Sequence, residues 1–134
     1  YSSYIHKINP DAKVTGKACP LFVPLVEEGL LEDPVTDEIA SRYLTELMEI
    51  GIDTLILGCT HYPFLRPHLR EFLGNRRIEI IDGSMGTAKE LKRRLGEKNL
   101  LHAEKREQKI IFENSMEKQE MIDLSWQLLR LPID

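Results

Sequence analysis

The sequence predicts an α/β protein built on a parallel sheet. Three observations point there: short, largely apolar, β-branched runs at residues 52–57 and 78–81, stretches at helical spacing between such runs, and Gly51, Gly58 and Asp82-Gly83 punctuating their ends.

Taken in order, residues 1–8 read as the tail of a helix closed by the turn-forming Asn9-Pro10-Asp11. A strand is expected over residues 13–18. Residues 21–30 are mostly apolar but hold Pro24, which lacks a donor and clashes one turn back, so a loop leading into a short helix is expected. Asp33-Pro34 supplies a cap and a first-turn proline, after which Ile39, Tyr43, Leu44, Leu47 and Met48 recur at helical spacing until Gly51. Residues 52–57 then read as a strand buried on both faces. Pro63 and Pro67 frame the start of a helix running to about Phe72, and residues 78–81 form a second buried strand. Ser84 is expected to cap the next helix, with Ala88, Leu91 and Leu95 on its inner face and Lys89, Lys92, Arg93 and Arg94 on a solvated one. Residues 97–108 read as a polar linker, 109–112 as a strand and 116–131 as a last helix. The βαβαβα alternation is that of a three-layer parallel-sheet domain.

The chain has 134 residues, 42% of them apolar and 30% charged, which suits a globular domain with a modest core. A net charge of −4, with Lys and Arg scattered among acids, argues against a surface that tracks phosphates, so nucleic acid is not an expected partner. No apolar run approaches the roughly 20 residues of a spanning helix, and the N-terminus lacks a secretory layout, so a cytoplasmic protein with no membrane partner is expected. The two cysteines, Cys19 and Cys59, then read as free thiols. An opening Tyr1, where a complete frame opens on Met, is what a piece of a longer chain would show.

Ligands of open parallel sheets collect where a strand turns into a helix, because the helix's first amides are unpaired and favour anions. Gly58-Cys59-Thr60-His61 occupies such a place and offers a thiol, a hydroxyl and an imidazole to a small carboxylate. The thiol can serve as nucleophile or proton carrier, since a cysteine near a helix start loses its proton below the free value of about 8.5. A small core residue followed by a turn-capping histidine is the competing structural reading. Metal binding is the weaker alternative: Cys59 and His61 make two ligands, no second pair follows at finger-like spacing, and His6, His68 and His102 bring no recognisable partners.

The block Leu57-Gly58-Cys59-Thr60-His61-Tyr62-Pro63-Phe64-Leu65, preceded by Ala18-Cys19-Pro20-Leu21-Phe22-Val23-Pro24-Leu25-Val26-Glu27, resembles the second half of the glutamate racemases, in the aspartate/glutamate racemase superfamily. Aspartate racemases generally carry an acidic residue where His61 stands. The resemblance implies two similar α/β domains facing each other across a cleft, each giving one cysteine, with no cofactor and glutamate as substrate. One thiolate removes the α proton and the other thiol returns one from the opposite face. By motif match Cys59 is the second-domain cysteine, Thr60 binds the substrate's amino-acid head, His61 assists Cys59, and Glu27 lies near the amino group and the Cys–His pair; Glu28, its neighbour, is the alternative to Glu27. Cys19 is expected to be a buried, inert thiol. The family's role is to supply D-glutamate for peptidoglycan.

Residues 1–82 would form the second racemase domain, and 83–134 would cross back to complete the first. The first-half signatures Asp-Ser-Gly, Pro-Tyr-Gly and Ala-Cys-Asn-Thr do not occur in this chain, so on its own it is expected to be inactive. Asp82-Gly83-Ser84 inverts the family's usual order, which removes support for a hydroxyl role of Ser84. Apolar surface left bare by the missing part leaves self-association open. The competing functions are an aspartate or hydantoin racemase of the same superfamily and a non-catalytic module that binds glutamate or a protein partner.

Overall fold

Asp33 opens the longest helix among the described residues and Gly51 closes it, both by backbone chemistry readable in the residues themselves. In the computed structural model, which describes residues 1–102, 111–113, 115 and 118–129, Asp33 Oδ1 accepts the Val35 N–H at 2.9 Å and Pro34 takes the first helical position. At the other end Gly51 adopts φ +76°, a conformation that strains residues with a Cβ. The Gly51 and Ile52 N–H groups then return to the Met48 and Leu47 carbonyls at 3.0 and 3.4 Å, satisfying the last turn.

The elements in chain order are α1 (Ser2–Ile8), α2 (Phe22–Glu27), α3 (Pro34–Glu49), β1 (Thr54–Leu57), a 3₁₀ turn (Tyr62–Leu65), α4 (Arg66–Leu73), β2 (Glu79–Asp82), α5 (Ser84–Glu97) and α6 (Gln119–Leu129). β1 and β2 pair in parallel, with Leu55 opposite Ile80 and Leu57 opposite Asp82. The crossover between them is the 3₁₀ turn and α4, the βαβ arrangement expected of such a pair. Leu55, Leu57 and Ile80 join Leu44, Leu47, Leu65, Leu69 and Leu73 in one buried cluster, so α3 and α4 cover one face of the sheet. No helix among the described residues is long and apolar enough to cross a membrane.

Several expectations are corrected. Residues 13–18 form no strand, because the two strands paired among the described residues are β1 and β2 and nothing completes a ladder there. Pro24 sits inside α2, not before it. It is the third residue of the helix, where its missing N–H is one of the donors that lacks an intrahelical partner anyway. The strands are not buried on both faces: Ile56 is half-buried and Ile81 is 38% exposed, because among the described residues no layer covers that side of the sheet. Ser84 is the first residue of α5 and not its cap, a place taken by Gly83; the Ser84 N–H donates to Asp82 Oδ1 at 2.8 Å. Ala88 and Leu91 are exposed and Leu95 is half-buried, so α5 has no buried face. Of the strand expected at 109–112, residues 109 and 110 lie outside the described residues, while Ile111 and Phe112 belong to no strand. The last helix is described from Gln119 to Leu129; residues 116, 117, 130 and 131 lie outside the described residues.

Candidate active site

The chain leaves β1 through Gly58 and tightens at once into the 3₁₀ turn, for which His61 is the N-cap. The turn closes through the Tyr62 N–H on the Cys59 carbonyl at 3.2 Å and the Phe64 N–H on the His61 carbonyl at 3.1 Å. Pro63 and Pro67, second residues of the 3₁₀ turn and of α4 respectively, cost neither element a donor it could have used. Cys59, Thr60 and His61 are thereby presented together at the carboxyl end of the sheet. Among the described residues, the amide N–H groups of Thr60 and His61 have no acceptor, which makes this an anion-favouring corner.

Glu27, the last residue of α2, meets this corner from 34 positions upstream: its Oε1 lies 3.1 Å from His61 Nε2. A carboxylate only accepts, so Nε2 carries the proton in this pair. In the neutral ring that leaves the Nδ1 lone pair directed at two donors, the Cys59 thiol at 3.9 Å and the Thr60 hydroxyl at 3.4 Å. The arrangement Glu27–His61–Cys59 is that of an acceptor orienting a base against a thiol, the geometry by which an imidazole takes up or returns a sulfur proton. The sulfur contact is at the long end of its range, as such contacts are before a substrate closes them. Cys59 is half-buried, His61 about one-third exposed and Glu27 about half-exposed, so a small substrate can reach them.

The neighbouring carboxylate Glu28 goes elsewhere. It lines a shallow groove of Leu21, Pro24, Leu25, Leu30, Val35 and Ile39 between α2 and α3. Cys19 is buried, at 7% exposure, with its thiol toward the Lys17 carbonyl at 3.7 Å. Burial pushes that thiol's pKa up, against a smaller opposing pull from Lys17. His68 pairs with Asp37 at 3.3 Å and His6 with the Ala12 carbonyl at 2.9 Å. Among the described residues no group of three or more His, Cys, Asp or Glu could hold a metal ion. Sequence pattern alone marks no role for Tyr62, yet its hydroxyl donates to the Cys19 carbonyl at 3.0 Å, across 43 positions. Its place directly after His61 was the available signal.

No model of a protein family matches the chain. It is 45% identical over 104 residues to the glutamate racemase of Neisseria meningitidis, a stretch covering 78% of this chain and 38% of that protein. Over 89 residues it is 45% identical to the glutamate racemase of Geobacter metallireducens, covering 66% of this chain and 33% of the relative. The chain thus spans less than two fifths of the length of these curated relatives. Among solved structures, the glutamate racemase of Francisella tularensis in complex with D-glutamate superposes with TM-score 0.80 and 28% identity, over 100% of this chain and 49% of that one. The Thermus thermophilus enzyme, in complex with β-chloro-D-alanine, gives TM-score 0.59 and 47% identity, over 67% of this chain and 34% of that one.

Proposed function

We propose that this chain, homologous to glutamate racemases over three quarters of its length, is the part of such an enzyme that carries one of its two acid/base groups. The observation that supports the reading is the convergence of Glu27, His61, Thr60 and Cys59 at the end of β1. Racemisation needs a base on one face of the substrate's α carbon and an acid on the other. Cys59 as thiolate takes the α proton of one enantiomer; as thiol it donates to the planar carbanion formed from the other. His61 holds the exchangeable proton next to the sulfur, and Glu27 keeps the ring in the tautomer that faces it. The Thr60 hydroxyl and the open amides of Thr60 and His61 bind the substrate's α-carboxylate, so its charge is met as it spreads during proton loss. The chemistry calls on no cofactor. The second acid/base comes from outside this chain, because Cys19, the other thiol, is buried.

In the same reading residues 1–82 form the second domain and 83–134 return toward the first. The bare flank of α5, with Met85 66% and Leu91 58% exposed, fits a helix whose covering lies beyond the chain. The biological role would be D-glutamate supply for peptidoglycan, in the cytoplasm. In the full-length protein that carries these residues, Cys59→Ala should abolish interconversion of L- and D-glutamate, whereas Cys19→Ala should leave the rate within a few fold. Equal losses from both, with the fold intact by circular dichroism, would overturn the assignment.

A further inference from the structure

Glu27 reaches His61 from a half-exposed position, so little in its own surroundings fixes it; its place is inherited from where α2 sits. Tyr62 joins α2 to the catalytic turn at both ends. Its backbone N–H donates to the Cys59 carbonyl at 3.2 Å, closing the turn that presents the thiol. Its hydroxyl donates to the Cys19 carbonyl at 3.0 Å, and that same oxygen accepts the N–H of Phe22, the first residue of α2, at 3.2 Å. The Phe22 ring, 2% exposed, stands edge-on between Tyr62 and Tyr43, with centroids 5.4 and 5.2 Å away and interplanar angles of 85° and 89°. The Tyr43 hydroxyl in turn accepts the Leu21 N–H at 3.3 Å. Burial, with the nearby thiols of Cys19 and Cys59, raises the Tyr62 phenol, which keeps its hydroxyl a donor.

We propose that Tyr62 is a positioning residue for the proton-transfer site: by clasping the Cys19 carbonyl it sets the reach of Glu27 to His61 and so the hold of His61 on Cys59. The inference rests on reading Glu27, His61 and Cys59 as one working unit. Tyr62→Phe removes the clasp and keeps the ring against Phe22. The test is the rate of Cys59 alkylation by iodoacetamide as a function of pH, followed by mass on the Cys59 peptide, in this chain, Tyr62→Phe, Glu27→Gln and the double variant, with melting temperatures in parallel.

Tyr62→Phe is expected to slow alkylation near neutral pH about 2- to 10-fold, the range of one hydrogen bond. Its pH profile should move in the same direction as that of Glu27→Gln, and the double variant should be no slower than Glu27→Gln alone. A lower melting temperature with an unmoved pH profile would overturn the proposal, since Tyr62 would then be structural only. So would a full additional slowing in the double variant. If Tyr62→Phe does not fold, Phe22→Leu, which removes the ring Tyr62 rests on, is compared with Glu27→Gln by the same criteria. A null effect of Glu27→Gln refutes the working unit and this inference with it. Because the assay contains no glutamate, failure of the full-length protein to racemise would leave the Tyr62 result standing.

Discussion

Two thiols separated by 40 positions meet opposite environments. Cys19 is held in the core, where desolvation raises its pKa and its exposure is 7%. Cys59 is half-buried at a strand end beside an imidazole. Iodoacetamide should therefore modify Cys59 well before Cys19 in the native chain, the two reacting alike only in denaturant; peptide mass spectrometry over time reads the order. His61 sits between Glu27 and Cys59, and under the proposed racemisation its substitution is informative. In the proposed mechanism Cys59 is base toward one enantiomer and acid toward the other, so removing the ring with His61→Asn, which favours thiol over thiolate, costs the two directions unequally. In the full-length protein kcat should fall unequally for L- and D-glutamate, while symmetry keeps the two equally populated at equilibrium. Equal reduction of both kcat values, with an unmoved pH profile, would assign His61 to substrate placement instead.

At the scale of elements, the junction between β2 and α5 concentrates polar contacts on one carboxylate. Asp82 takes the Ser84 amide, the Ser84 hydroxyl and the Arg66 guanidinium, which together hold its pKa at about 2, below the ordinary 3.8. Arg66 also donates to the Ile80 carbonyl at 2.7 Å, and Arg70, one turn later on α4, to the Ile78 carbonyl at 2.7 Å. Helix α4 is thus stitched to β2 and the residue before it by side chains as well as by its Leu69 and Leu73 packing. A folded-state pKa below the unfolded one stabilises the fold above the unfolded value, and the gain is lost as pH falls through the folded one. Asp82's contribution should be complete above pH 3.8 and fade toward pH 2. Asp82→Asn should accordingly lower stability at neutral pH, with the gap to the parent closing through that window, as denaturant melts on both sides of it would show. A constant gap across the window would rule out this linkage.

For the whole molecule, the decisive feature is a sheet that the described residues cover on one side. Ile81, Met85 and Leu91 are 38%, 66% and 58% exposed, an arrangement that favours association through apolar contact. The proposed chemistry is likewise divided, between the two faces of the substrate's α carbon. One proton carrier can exchange the α proton on its own face but has no route to the opposite one, so the 134-residue chain by itself should show no L-to-D conversion. Circular dichroism of either pure enantiomer incubated with the chain tests this; a decaying glutamate signal would mean that a second acid/base group lies within the chain.

Much of the local structure was legible because its causes are local. Asp33-Pro34 and Gly51 fixed the limits of α3 through capping and a positive φ, and the apolar runs before Gly58 and Asp82 marked both strands. The Cys-Thr-His turn could be located for the same reason, since a strand end followed by proline-marked helix starts is written in adjacent residues. What failed depended on partners. Among the described residues, 13–18 have strand-like composition but no neighbour to pair with, Ile81 and Leu91 are apolar yet uncovered, and Pro24 falls where its missing donor does no harm. Likewise the choice of Glu27 over Glu28, and the clasp of Tyr62 on the Cys19 carbonyl, could not be derived from spacing. Each joins residues 34 or more positions apart; their separation in space is set by how α2 packs on the turn after β1, a property of the folded core and not of any segment alone.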